Sequence, residues 1–177
     1  MFPTRTLWRM LSILLALAGQ PALALDPNSM EPIEIESDLV IFDDQKGFSK
    51  YSGNVIIKQG KTRLEAEEIV VRLANRQIVS IDASGNPAHF IDFTQRETHG
   101  YAESINYVTQ SALLTLHGSA KLNQQDHSFS GDKILYDTRN KAIHASGNKS
   151  EGERVRIQFQ PSSKTDSNNT SAQSSTP

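Results

Sequence analysis

The chain has 177 residues, 18 basic and 20 acidic side chains for a formal charge of −2, and no cysteine. That length suits a single compact domain, the acidic balance argues against nucleic acid as a partner, and the fold must hold without disulfides.

Taken from the N-terminus, Arg5 and Arg9 precede an apolar run from Met10 to Leu17, and small residues follow at Ala22 and Ala24. This is the pattern of a cleavable secretory signal over residues 1–24. A retained membrane anchor is the rival reading, but the run is well short of the roughly 20 residues that span a bilayer. Removing this segment takes away two arginines and no acid, so the exported chain carries a formal charge of −4. A small secreted eukaryotic module would more often be disulfide-rich, so a cysteine-free exported chain fits bacterial export better.

The remainder divides into a folded region, residues 25–161, and a tail, residues 162–177, in which Ala172 is the only apolar residue. Such a tail cannot bury enough surface to offset its ordering entropy and is expected to be disordered. Pro32 marks the start of the strands, where a proline is tolerated. Four times thereafter an acid is followed by apolar residues two and four places on and then by a glycine. The copies run from Asp38 to Gly53, Glu67 to Gly85, Glu103 to Gly118 and Asp132 to Gly147, a span of 15 residues in three copies and 18 in the other. Regular spacing of this kind predicts stacked supersecondary units that bury apolar faces against their neighbours. The residues after each acid, Val40 and Phe42, Ile69 and Val71, Ile105 and Tyr107, Ile134 and Tyr136, form ladders along one face. The glycines read as turns, and each repeat has room for three to four short strands. Residues 64–73 favour helix locally at Glu65, Ala66, Glu67 and Glu68, but the β-branched run Ile69-Val70-Val71 and the repeat favour strand. Near the end, Val155, Ile157 and Phe159 alternate with Arg154, Arg156 and Gln158, a half-buried strand. The fold class is therefore all-β, an elongated twisted stack or open jelly roll.

Catalytic signals are sparse. There is no Walker loop, no Gly-x-Ser-x-Gly elbow and no His-Glu-x-x-His. The five histidines, His89, His99, His117, His127 and His144, lie singly without ligand spacing, which favours a sheet-face or solvent role for each over a metal centre. The repeated acids fit a structural position in each repeat better than glycoside chemistry.

Pro32-Ile33-Glu34-Ile35-Glu36-Ser37-Asp38, Ser52-Gly53-Asn54-Val55, Gly85-Asn86-Pro87-Ala88, residues 100–107 and Ser130-Gly131-Asp132-Lys133-Ile134 together give the chain a resemblance to the OstA-like family, over residues 31–161. The resemblance implies a periplasmic, non-enzymatic protein that takes no cofactor. Its twisted β-jelly roll would shield the lipid A acyl chains of lipopolysaccharide in an apolar groove. Similar folds would join it head to tail, linking an LptC-like inner-membrane subunit at the N-terminal edge to an LptD-like outer-membrane translocon at the C-terminal edge. Two relatives share the domain; the cleavable signal disfavours the inner-membrane one, and the end at Pro177 disfavours a full-length translocon. Alternation and the family match give Ile33, Phe90, Tyr107, Leu114, Leu116, Ile134 and Tyr136 as groove residues, and Ile33, Ile35, Val155 and Ile157 as partner-edge residues. No nucleotide site is apparent, so a partner must supply the driving force.

Two other readings stand beside this one. A self-assembling structural β-scaffold would have the same periodicity with a fully packed interior and no lipid. A carbohydrate-active enzyme would use Glu67, Glu103 and Asp132.

Overall fold

The computed structural model describes residues 31–150 and 152–160; the signal segment and the polar tail lie outside the described residues. Ten strands and no helix are found among them: β1 (Ile33–Glu36), β2 (Leu39–Asp43), β3 (Phe48–Gln59), β4 (Thr62–Ala74), β5 (Gln77–Asp92), β6 (Thr98–Val108), β7 (Leu113–Gln124), β8 (His127–Asp137), β9 (Ile143–Ser146) and β10 (Arg156–Phe159). Residues 64–73 are strand, as the β-branched run requires. All pairings are antiparallel within one sheet, in the order β1-β3-β4-β5-β6-β7-β8-β10. Strand β2 shares the outer edge of β3 with β1, and β9 shares that of β8 with β10. The two ends of this order do not pair, so the sheet stays open.

The expectation of many short strands separated by glycine turns does not hold. The central strands are long, 16 residues in β5, and each is bent near its middle. The bends are register breaks at Ser52/Val55, Glu65/Glu68, Ser84/Ala88, Tyr101/Ser104 and His117/Ala120. An extra residue in one strand bends it and increases its twist, and five such bulges side by side crease the sheet into two halves. Pro87 falls in one of them, where no ladder donor is needed. The inner face next to the crease carries small side chains, with Ala88 opposite Ala102 and Ala120 opposite Gly131.

In three of its four copies, ending at Gly53, Gly85 and Gly118, the acid-to-glycine repeat therefore marks the crease. Asp38 N donates to Gly53 O at 3.0 Å, and Asn54 Nδ2 donates to Asp38 Oδ2 at 2.9 Å. The equivalent pair has Ser119 Oγ donating to Glu103 Oε1 at 3.4 Å beside Gly118. Gly53 and Gly118 have φ of +80° and +79°, and the residue after each, Asn54 or Ser119, is also left-handed at +48° or +50°. A Cβ on Gly118 would lie 2.7 Å from the Glu103 carboxylate. Gly118→Ala is thus expected to lose about 1–2 kcal/mol from its left-handed backbone, with the clash adding to it. Gly152→Ala has φ +71° but open space around it and should lose the backbone part only. Urea denaturation of the two variants checks the difference.

The bend brings the two inner faces together over one apolar core. A Cβ on Gly100, in the first half, would lie 2.9 Å from Leu116 Cδ2 in the second, so the missing side chain is what lets Leu116 cross the interior. Seven strand spacings of about 4.8 Å make the sheet roughly 34 Å long across its strands, against about 17 Å for the five residues in each half-strand.

Candidate functional site

Cross-strand partners point to the same face, so the register resolves the inner surface into rungs. In the second half, one rung holds Val71, Ile81, Tyr107, Leu114 and Tyr136, and the next holds Tyr51, Ile69, Ala83, Ile105, Leu116 and Ile134. The facing rung of the first half holds Ile57, Leu64, Phe90, Leu122 and Phe129, with Gly100 between Phe90 and Leu122. Six of the seven groove residues expected from sequence thus come together: Phe90, Tyr107, Leu114, Leu116, Ile134 and Tyr136 are all buried in one cluster. The seventh, Ile33, stands apart at the sheet end opposite Gln59, 37% exposed. Ile57, Leu64, Ile69, Ile105 and Leu122 belong to the same surface equally, and alternation along their strands was the available signal.

At both ends the inner face runs out into solvent. Val40 and Phe42 lie opposite Tyr51 and Ser49, hence on the inner face, yet they are 54% and 65% exposed. Sequence placed these two in the same ladder as the core residues; they are on that face but have no strand beyond them to cover them. At the other end, Ile157 and Phe159 oppose Phe129 and His127 and are 51% and 62% exposed. Of the partner-edge residues, Ile35 packs on the core, Val155 is half-buried just before β10, and Ile33 and Ile157 are open. The outer side of β1 carries Glu34 and Glu36, whereas Arg154 and Arg156 alternate with Val155 and Ile157 at the opposite end.

The rim away from the crease is polar. Gln59, Thr62, Asp92, Thr98 and Gln124 occupy one rung of the first half, all facing in and all buried. Asp92 Oδ1 accepts from Thr94 N at 2.8 Å. Gln124 Nε2 donates to Thr98 Oγ1 and, across the rim, to Tyr136 Oη, each at 3.3 Å. Backbone hydrogen bonds of the loops, such as Phe93 N to Lys61 O and Thr138 N to Ala112 O, stay within one half. The crease is therefore held by continuous backbone, while a side-chain bond bridges the rim. This polar rung went unread in the sequence because each member looks like an ordinary strand-end residue.

Burial, and next the Asp92 carboxylate, pushes the Tyr136 phenol above its ordinary value of 10.0. A phenol whose folded pKa is raised contributes stability that is fully present below the unfolded pKa and is lost as pH rises through the folded one. Melting temperature should accordingly fall above about pH 10, and Tyr136→Phe should flatten that fall; a pH series of thermal melts reads it.

The histidines do not all stand alone. His89 Nε2 and His99 Nδ1 face each other at 3.1 Å on the outer face, diagonal neighbours across β5 and β6. Burial, the largest influence, holds the His89 imidazole below its usual pKa despite the opposing pull of Glu65. Among the described residues no group of three or more His, Cys, Asp or Glu side chains is arranged to hold a metal, and no helix is long and apolar enough to cross a membrane.

This architecture recurs in known proteins. Residues 34–142 match the family described as LptA/(LptD N-terminal domain) LPS transport protein. The lipopolysaccharide export system protein LptA of Escherichia coli K12 is 34% identical over 86% of this chain and 83% of its own length. The corresponding protein LptH of Pseudomonas aeruginosa is 30% identical over 73% of this chain and 77% of its own. The crystal structure of LptH, described as the LptA homologous periplasmic component of the lipopolysaccharide transport device, superposes with a TM-score of 0.68 at 25% identity, covering 74% of this chain and 96% of that one. With a matching family domain, curated relatives over most of its length and the same open jelly-roll sheet, the chain belongs to the LptA/LptD N-terminal domain family of lipopolysaccharide transport proteins.

Proposed function

We propose that the protein is a periplasmic bridge that binds lipopolysaccharide, shields its lipid A acyl chains between the two halves of the bent sheet and passes it from the inner towards the outer membrane. The observation that carries this reading is the inner face, apolar from one open end to the other, with Val40 and Phe42 bare at one mouth and Ile157 and Phe159 at the other. Exposing an acyl methylene to water costs about 0.8 kcal/mol, so a lipid with several long chains needs unbroken cover. Rungs of similar composition give it near-equal affinity at successive positions, which movement requires. The rungs are packed against each other in one core. Chains enter as the halves part on the crease and the Gln124 to Tyr136 bond yields.

Residues 1–24 act as the export signal. The unpaired sides of β1 and β10 accept strands from a neighbour: an LptC-like inner-membrane subunit at the N-terminal end, an LptD-like translocon at the C-terminal end, or another copy between them. Glu34 and Glu36 on one edge and Arg154 and Arg156 at the other favour head-to-tail joining with the apolar rungs in line. No catalytic step is part of this role.

Gel filtration of the protein with lipopolysaccharide tests it. Lipid should travel with the protein, below the size of lipid aggregates. A folded protein that oligomerises and carries no lipid would favour the scaffold reading instead.

A further inference from the structure

The outer face at the C-terminal end of the sheet holds a basic cleft that the apolar inner face does not use. Lys121 on β7, Ser130 on β8 and Arg156 on β10 are register partners in one cross-strand row, and the next row, Leu122, Phe129 and Ile157, lies on the inner face. Lys121, Ser130 and Arg156 therefore project together from the outer face. Two strand spacings, about 10 Å, separate the backbones of Lys121 and Arg156, so two long side chains flank one short serine. The connection from β9 to β10 forms the other wall. Glu153 N donates to Asn148 O at 2.9 Å and Ser150 N to Asn148 Oδ1 at 3.1 Å, which ties this segment back on itself. It also lies close to β8, since a Cβ on Gly131 would stand 2.7 Å from Ser146 O and 3.6 Å from Val155 Cγ2. Between the walls is an open cleft of about 700 Å³, with Ser119, Lys121, Ser130, Glu153, Arg154 and Arg156 in its lining.

Charge pairing sets this cleft apart. Lys46, Lys50, Lys58, Arg63 and Arg72 each meet a carboxylate. Lys121, Arg154 and Arg156 meet none among the described residues, although the chain as a whole is acidic. Three cations gathered without a counter-charge repel one another and favour an anion. We propose that the cleft binds the phosphate monoester of a sugar. Arginine forks grip phosphate oxygens in pairs, lysine adds a point charge, and the Ser130 hydroxyl is a further donor. Glu153 only accepts, which suits the hydroxyl or ammonium donors of a sugar. The cleft is also of the size that takes a small molecule and not a bare phosphate alone. A phosphorylated head group on a carried lipid and a free sugar phosphate offer this same chemistry. A neighbour's Glu34 and Glu36 would reach Arg154 and Arg156 from the edge, so Lys121, one strand further in, tells the two uses apart.

The test is calorimetric titration of glucosamine 6-phosphate into the protein, at a concentration where it sediments as a monomer, with glucosamine and inorganic phosphate as controls. One molecule of glucosamine 6-phosphate per chain is expected, with inorganic phosphate about tenfold weaker and glucosamine giving no heat. Lys121→Gln should weaken binding about tenfold, the usual loss for a hydrogen bond to a charged group. Lys133→Gln removes an equal charge outside the cleft and should leave binding unchanged. Backbone amide resonances of the unsubstituted protein read the site without any variant: those of Lys121, Ser130 and Arg156 should move, while those of Lys50 and Glu68 stay. Repeating the titration on protein carrying lipopolysaccharide separates the sources, and only this arm rests on the lipid-carrying reading. A blocked titration assigns the cleft to the head group of the carried lipid; an unchanged one assigns it to a free sugar phosphate. No binding of glucosamine 6-phosphate, binding no tighter than inorganic phosphate, or binding indifferent to Lys121→Gln would each overturn the proposal and leave lipid co-migration untouched.

Discussion

Phe90→Asp is expected to unfold the protein or leave it on the verge of unfolding. Phe90 is 1% exposed, between Leu64 and Gly100 on the inner face of the first half, and nothing there pairs with a carboxylate. Even Phe90→Ala should cost about 3–5 kcal/mol. That is a large part of the 5–15 kcal/mol typical of a domain, and a buried unpaired charge costs more. The burial of Phe90 makes this change a test of stability and not of lipid binding. The change that separates the two belongs where the inner face is already wet. Phe42→Asp and Phe159→Asp, at side chains 65% and 62% exposed, should move stability by no more than about 0.5 kcal/mol while strongly reducing lipid carriage. Urea denaturation beside lipid co-migration reads both.

The head-to-tail association proposed above should be abolished by reversing the charges on one edge. Arg154→Glu with Arg156→Glu sets acids against Glu34 and Glu36 of the next copy, and like charges brought together at a contact cost several kcal/mol. Glu34→Arg with Glu36→Arg sets arginines against arginines. Each double variant should sediment as a monomer. Their equimolar mixture should associate again, because every junction in an alternating array then joins arginine to glutamate. Raising the salt should weaken both repulsion and rescue, since these side chains are exposed. Assembly of either double variant alone would remove charge from the account of these edges.

What was legible in the sequence depended on distance along the chain. Alternation put Tyr107, Leu114, Leu116, Ile134 and Tyr136 on the inner face, because strand geometry alone fixes which neighbours share a face. The acid-to-glycine spacing was also legible, but its meaning was not: a glycine in left-handed conformation serves a turn or a mid-strand bulge equally well. Gly53 and Gly118 proved to be bulges, and three of the four apparent turns, at Gly53, Gly85 and Gly118, fell on one crease, while Gly147 lies beyond β9. Exposure of Val40 and Phe42 depends on their strand being last on its edge, which is a property of topology. The polar rung from Gln59 to Gln124 and the His89 and His99 pair join residues from separate strands, so no local pattern announced them.

The central claim is that acyl chains lie against the inner face, and alternation supplies its own control. A photo-crosslinking side chain placed in turn at Ile134, on the inner face, and at its neighbour Leu135, on the outer face, would be exposed to light in the presence of lipopolysaccharide. Crosslinked lipid from position 134 and little or none from position 135 is the predicted result. Equal labelling from both positions, or labelling from 135 alone, would contradict it.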